Sequence, residues 1–362
     1  MLIRMIPLRL LSLHNQTAGM QWSILLALSI SCVLGLQALR LPAALLLGPM
    51  IAAILVAAMD GKIRLPARLF GPAQGVIGCM IAHAIPLSII AEIVREWPLF
   101  LAGVLSVTLV AATLGWLLTR WQVLPGTTAI WGSSPGAAMA MTLMSEAFGA
   151  DIRLVAFMQY LRVVCVAVCA SFIARIWAGG SGAPPPAIVW FPPTAWLPFI
   201  ETMALIGIGS VLAEHMRIPA GAMLLPLVLG VILQDSGWMV IELPPWLLAL
   251  CYALLGWTIG LRFTRPILSH AARAFPRVLF SIFVLIAMCG FFAALLVFVA
   301  GIDPLTAYLA TSPGGADSVA IIASSSEVNL PFVMAMQIAR FLLVLFTGPS
   351  LARFIAKRSG VL

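Results

Sequence analysis

Apolar runs of about twenty residues, the length of helix that spans a bilayer core, recur from Gln21 to the end of the chain with short polar loops between them. A soluble core cannot absorb that many. Of 362 residues, 62% are hydrophobic and 9% are charged, and the mean hydropathy is +1.12. The fold class this implies is an all-α polytopic membrane protein. The net charge of +8 does not point to nucleic acid, because Lys and Arg lie singly at the ends of apolar runs, where membrane topology accounts for them. Cys32, Cys79, Cys165, Cys169, Cys251 and Cys289 all fall inside apolar segments without a CxxC pair and read as small core residues. The basic, apolar start "MLIRMIPLRLLSLHNQ" has no small-residue cleavage site after it. Residues 1–19 are expected to form a cytoplasmic tail or an interfacial helix.

The second half repeats the first at a nearly constant offset, the signature of an internal duplication. "LRLPAALLLGPM" (Leu39 to Met50) matches "MRIPAGAMLLPL" (Met216 to Leu227), setting Pro42 on Pro219 and Pro49 on Pro226, 177 residues apart. "SPGA" at Ser134 matches "SPGG" at Ser312, and "QYLR" at Gln159 matches "QIAR" at Gln337, both 178 apart. Between the halves, "AGGSGAPPPAIVWFPP" reads as a Gly/Pro linker. The expected organisation is therefore membrane repeat 1 over 20–177, a linker over 178–193 and membrane repeat 2 over 194–362.

Charge sets the orientation of each half. After the second apolar segment, half one carries Lys62, Arg64 and Arg68, whereas half two carries Asp235 and Glu242. After the third segment the bias reverses, with Arg262, Arg265, Arg273 and Arg277 in half two against Glu92, Arg95 and Glu96 in half one. By the positive-inside rule the repeats are inverted. Each half shows six apolar segments, and inversion needs an odd number of crossings. The expectation is about five transmembrane helices plus one re-entrant or broken Ser-Pro-Gly segment per half, with both termini cytoplasmic.

In that segment, Ser312 with Pro313, and Ser134 with Pro135, can start a new half-helix as N-cap and first position. Gly314 and Gly315, or Gly136 and Ala137, then offer free backbone N–H groups at the positive end of a helix dipole, which suits an anion. Pro135 to a turn near Gly149 is 14 residues, roughly 21 Å of helix, and Arg153 to Arg162 is 9 residues, roughly 14 Å back. Half two has the same spacings, which returns Arg162 and Arg340 to the depth of the break. Gln159 with Arg162, and Gln337 with Arg340, share a helix face. An arginine near the bilayer centre costs about 2.5 to 3.5 kcal/mol on an insertion scale. Two explanations stand: binding of a small anion, or pairing with helix-end carbonyls or an acid. Asp317, whose counterpart is Met139, is a candidate proton carrier, or a Na⁺ ligand with Ser318. The glycines Gly71, Gly75, Gly78, Gly256 and Gly260 read as close helix packing. His83 reads as bonded to a neighbouring carbonyl rather than to a metal, and most of the tryptophans as interfacial anchors.

At "SSPGAAMAMTLMSEAFGADIRLVAFMQYLRVV" and "TSPGGADSVAIIASSSEVNLPFVMAMQIARF" the chain resembles the bacterial AbrB family of integral membrane proteins, which have a duplicated membrane domain built around this SPGG and QxxR signature. The resemblance covers nearly the whole chain after the N-terminal tail and implies a bacterial cytoplasmic (inner) membrane location. Family members are labelled as regulators of gene expression or as ammonia monooxygenase. Half one departs from the pattern at Ala137 and Met139. A copper monooxygenase needs a His or His/carboxylate cluster, whereas His14, His83, His215 and His270 are scattered. We therefore expect no enzyme, no catalytic residue, no metal and no cofactor. Direct binding to nucleic acid would need a soluble unit that the chain lacks. The functional expectation is a secondary transporter of a small organic anion, coupled to H⁺ or Na⁺. The alternative is a membrane sensor or regulator that acts without transport. Partners are then the anion, the coupling ion and the lipid bilayer, with a homodimer an open option.

Overall fold

The computed structural model describes residues 13, 16–39, 41, 43–84, 94–95, 97–121, 124, 127–134, 141, 145, 150–178, 189–216, 221–272 and 274–358, with backbone alone at 67, 317, 345–346 and 348–358. Among these residues the chain is helical and has no strand. The first half contributes α1 (Ala18–Ala38), α2 (Ala44–Ala58), α3 (Ala67–Ala84), α4 (Trp97–Arg120), α5 (Thr128–Ser133) and α6 (Ile152–Ala178). The second contributes α7 (Trp196–His215), α8 (Gly221–Asp235), α9 (Pro245–Gly260), α10 (Arg265–Ala271), α11 (Phe275–Ala300), α12 (Pro304–Thr311), α13 (Ala316–Ser324) and α14 (Leu330–Arg358). Proline opens α9, α10, α11 and α12, where its missing N–H is not needed. Gly301 ends α11 in the left-handed conformation at φ 65°.

Five of these helices, α1, α4, α6, α7 and α11, are long and apolar enough to cross a membrane, and α9 with α10 would make a sixth span bent by 52°. α2 and α8 have 15 residues each, roughly 22 Å of helix, less than a bilayer core of about 30 Å. They are inner helices. α2 buries residues all around its axis and contains Pro49, while α8 contains Pro226. A helix that is apolar on every face belongs inside a bundle.

Backbone contact through glycine holds the inner helices together. A Cβ built on Gly256 would lie 2.6 Å from the Leu46 carbonyl oxygen and 3.0 Å from the Met50 N, both on α2. One built on Gly78 of α3 would strike the Met223 carbonyl oxygen and lie 3.3 Å from the Leu227 N on α8. Gly78 and Gly256 are 178 residues apart, and both Leu46 with Met223 and Met50 with Leu227 are 177 apart. The same contact is thus made twice with the halves exchanged. Gly260 adds a third, against the Met50 carbonyl, and Gly75 packs on Ile206 and Ser210 of α7. Gly71 meets only the Ala222 side chain at 4.0 Å, so close packing there does not depend on glycine.

α4 and α11 meet through a cluster of Val107, Ala111, Leu285 and Cys289, again two pairs 178 apart. His83 Nδ1 lies 3.1 Å from the Gln234 side-chain oxygen, and the Gln234 amide donates to the His83 carbonyl, so its partner is a side chain on α8. Trp131 and Trp257 are buried, and the Trp257 indole donates to Ser29 at 2.9 Å. They are core residues, unlike the exposed Trp97, Trp121, Trp196 and Trp238. Residues 1–12 and 179–188, which include most of the tail and of the linker, lie outside the described residues.

Gly260→Leu should therefore lower the melting temperature by far more than Gly207→Ala, whose Cβ would meet nothing within 4 Å. Overpacking of this kind costs about 1 to 3 kcal/mol, and more where the obstacle is backbone. Thermal unfolding of the two variants in detergent measures the difference.

Candidate functional site

α12 stops at Thr311 because the next residues, Ser312, Pro313, Gly314 and Gly315, leave the helical conformation. Ser312 has φ −60° and ψ 134°. Ending a helix at this depth strands its last carbonyls where no water is expected, and each must find a partner. α14 supplies them. The Gln337 side-chain amide donates to the Leu309 carbonyl at 2.7 Å and to the Ser312 carbonyl at 3.1 Å. Arg340 donates through Nη1 to the Ser312 carbonyl, through Nη2 to the Gly314 carbonyl at 3.1 Å, and through Nη2 to the Gln337 oxygen. The cation also meets the negative end of the α12 dipole.

Half one repeats the arrangement. Gln159 donates to the Trp131 carbonyl at 2.7 Å and to the Ser134 carbonyl at 3.0 Å. Arg162 donates through Nη1 to Ser134 at 2.9 Å and to Ser133 at 3.3 Å, and through Nη2 to the Gln159 oxygen at 2.8 Å. Gln159 and Gln337 are 0% exposed, Arg162 1% and Arg340 4%. Gln and Arg thus do share one helix face and do reach the depth of the break. Their hydrogen bonds run to helix-end carbonyls, the second of the two explanations open from the sequence. Among the described residues, both Nε–H groups are buried without a hydrogen-bond partner.

Ser312 does not cap a new helix. Its hydroxyl turns back to the Leu309 carbonyl at 3.0 Å, as the Ser134 hydroxyl turns back to Ile130 at 2.8 Å. The next helix, α13, begins at Ala316 with Gly315 as a cap that has no side chain. Pro313 and Gly314 are spent on the turn. Gly314 is close-packed, since a Cβ would lie 2.9 Å from Val319 and 3.1 Å from Val166 of α6. Gly315 is open: a Cβ there would meet nothing nearer than Val163 at 3.8 Å, and φ is −77°. Ala137 stands at the matching position of half one, a residue that this geometry accepts. Pro135 and Gly136 lie outside the described residues, as does the side chain of Asp317. Ser318 is buried in the first turn of α13.

The chain returns to where it entered. The Asn329 N–H, just before α14, donates to the Thr306 hydroxyl in the first turn of α12 at 3.2 Å. In half one the Asp151 N–H donates to Thr128 at 3.0 Å. α12 and α14 therefore start side by side and run parallel inward. The sequence reading missed Thr128, Thr306, Asp151 and Asn329, although each pair is 178 apart and extending the offset would have found them. Asp151 also caps α6, accepting from the N–H groups of Arg153 (2.9 Å) and Leu154 (3.3 Å), and meets His270 Nε2 at 2.9 Å. Burial pushes its carboxyl up, but the bonds from His270, Leu154 and Arg153 outweigh that and hold it below the ordinary carboxylate value. No group of three or more metal-ligating side chains exists among the described residues.

Two outcomes follow. Arg340→Met should orphan the Gly314 carbonyl, at about 1 to 3 kcal/mol, and leave the Ser312 carbonyl to Gln337 alone, whereas Gly315→Ala should leave the melting temperature near that of the wild type. For Asp151 the lowered value means that its stabilisation is present above about pH 4, the ordinary carboxylate range, and is lost as pH falls through the folded value. The wild type should melt above Asp151→Asn at neutral pH, and the gap should close in acid.

The comparisons with known proteins cover nearly the whole chain. A family model described as "Transition state regulatory protein AbrB" matches residues 45–356. The chain is 46% identical over 338 residues to "Putative regulator AbrB" of Escherichia coli (strain K12), a match covering 93% of this chain and 97% of the relative. It is 25% identical over 306 residues to "Uncharacterized protein YhjN" of Bacillus subtilis (strain 168), covering 79% and 78%.

Proposed function

This chain belongs to the AbrB family, and from that premise we propose that it is a secondary transporter of a small organic anion across the bacterial cytoplasmic membrane, coupled to H⁺ or Na⁺. One observation carries the reading. Two helix breaks, each closed by a buried Gln–Arg pair, bring two guanidinium groups into the core. No carboxylate salt bridge reaches either among the described residues. A broken helix inside a membrane bundle is tolerable where it faces a polar cavity, and paired breaks at the meeting of two repeats are how transporters build a central site.

In this reading the membrane repeats, 20–177 and 194–362, are inverted. The exchanged glycine contacts of α2 with α9 and of α3 with α8 support it, because a twofold axis produces that reciprocity. The return of Asn329 to Thr306 and of Asp151 to Thr128 supports two re-entrant segments. Five crossings per half then place both termini in the cytoplasm. The substrate meets the two breaks, with Ser134, Pro135 and Gly136 on one side and Ser312, Pro313, Gly314 and Gly315 on the other. Gln159 and Gln337 position Arg162 and Arg340, which supply positive charge. Asp317 and Ser318, at the start of α13, are the place for the coupling ion.

The second reading is a membrane sensor or regulator that binds without moving its ligand, and the name of the E. coli relative favours it. Purified protein in proteoliposomes separates the two. We expect gradient-driven accumulation of one class of small anion, collapse of uptake when the pH or Na⁺ gradient is dissipated, and loss of uptake in Arg340→Gln. Saturable binding without accumulation under either gradient would give the sensor precedence.

A further inference from the structure

We propose that α10 is a lid over the place where α5 and α6 begin, latched there by His270 on Asp151 and loosened as pH rises and the imidazole gives up its proton. The inference does not depend on transport and holds for a transporter or a sensor alike.

The chain bends by 52° between α9 and α10, over residues 261–264. Gly260, just before the bend, is fixed against α2, where a Cβ would strike the Met50 carbonyl. At the start of α10, Arg265 reaches Asp60, beyond the end of α2, at 2.6 Å. The other end lies on half one. His270 Nε2 is 2.9 Å from Asp151 Oδ2, and Ala271 is buried in one apolar cluster with Ala129 of α5 and with Leu154 and Phe157 of α6. Among the described residues, these two ion pairs are the side-chain bonds that α10 makes to other elements. The segment therefore has a bend, an anchored end and a latched end. Asp151 is where the half-one entry is assembled: its N–H donates to Thr128, its Oδ1 accepts from Arg153 and Leu154, and its Oδ2 is left for His270. In half two, Asn329 does the same work with Thr306 and the Phe332 N–H, but it carries no charge. Beside it lies a cavity of about 550 Å³, lined among the described residues by Asp303, Thr306, Glu327, Asn329 and Phe332, with Ile302 and Val328. Thr306, Asn329 and Phe332 stand 178 residues after Thr128, Asp151 and Leu154. The matching place in half one is the one that α10 covers.

The charges around the latch are few. On α10 itself, Arg265 is engaged by Asp60. α6 offers Asp151, Arg153 and Tyr160, the last with Arg262 over its ring at 5.6 Å, and α11 offers Arg277 near its start. Among the described residues, Asp151 is the group that forms an ion pair with His270. Despite its burial, Asp151 stays ionised to below the ordinary carboxylate range, whereas an imidazole ordinarily changes charge between about pH 5 and 8. The bond is therefore charge-assisted on the acid side of the imidazole range and a neutral contact on the alkaline side. His270 and Asp151 keep 49% and 29% of their side-chain surface, and a pair so exposed is weak enough to open.

The experiment follows amide exchange of the full-length protein in detergent by mass spectrometry, from about pH 6 to about pH 8.5, across the alkaline side of the imidazole range. Rates are corrected for the intrinsic effect of pH. Peptides spanning 152–156 and 265–271 report on the latch, and 329–334 is the uncharged counterpart. The titration of His270 is read from its imidazole ¹H–¹³C resonance, assigned by its loss in the His270 variants. We expect protection of the first two peptides to fall at least about threefold over that interval, with the midpoint of the His270 titration and with 329–334 unchanged. His270→Gln should leave both peptides weakly protected at either pH, and His270→Lys, which keeps its charge throughout, should hold them protected at either. If His270→Gln fails to fold, His270→Lys supplies the assignment, and the match between protection and titration in the wild type decides. Protection that is constant with pH in the wild type, that falls equally in 329–334, that falls alike in His270→Gln, or whose midpoint departs from that of His270 overturns the proposal.

Discussion

A helix that ends inside a bundle leaves its last carbonyl oxygens without intrahelical partners, and this constraint organises the core of the protein. Each break is closed by a glutamine and an arginine from the helix that follows it, so that side chains replace the missing turn of backbone. The cost of burying each guanidinium is offset by hydrogen bonds to two backbone carbonyls at the break, where the helix dipole ends, and to the side-chain oxygen of the neighbouring glutamine. The arginine and the break explain each other. Without the Ser-Pro-Gly turn the arginine would have no acceptors, and without the arginine the turn would leave orphaned carbonyls.

This closure works only if α5 with α6, and α12 with α14, are held in parallel register. The hydroxyls of Thr128 and Thr306 set that register by accepting the N–H of the residue that begins the next long helix. Around them, the inner helices approach to backbone contact at Gly78 and Gly256. In a membrane, where lipid is as apolar as leucine, such small-residue packing supplies much of the attraction between helices. The long helices α1, α7 and α11 turn many of their apolar side chains outward, as a lipid-facing layer does.

Much of this was legible before any coordinates. The spacing of Ser134 to Gln159 and of Ser312 to Gln337, 25 residues in each case, correctly brought glutamine, arginine and break together. What the spacing left open was the partner. An arginine at the right depth is compatible with an anion or with a carbonyl, and only the directions of Nη1 and Nη2 distinguish them. Ser312 failed as a helix cap for a related reason. A serine hydroxyl bonds forward to an N–H or back to a carbonyl with similar ease, and the two residues between Pro313 and Ala316 moved the helix start out of its reach. Gly315, the second glycine of the half-two pattern, has ordinary space and an ordinary φ, while Ala137 lies outside the described residues.

The sequence by itself determined the all-helical membrane class, the duplication and the depth of the paired motifs, because these follow from hydropathy, periodicity and the fixed rise of a helix. It also determined membership of the AbrB family, since the paired signature extends over nearly the whole chain. Tertiary structure alone decided which hydrogen bonds the buried arginines make with the helix ends. Those are properties of facing elements from distant parts of the chain. Local pattern sets which side of a helix a residue occupies, but not what stands opposite it.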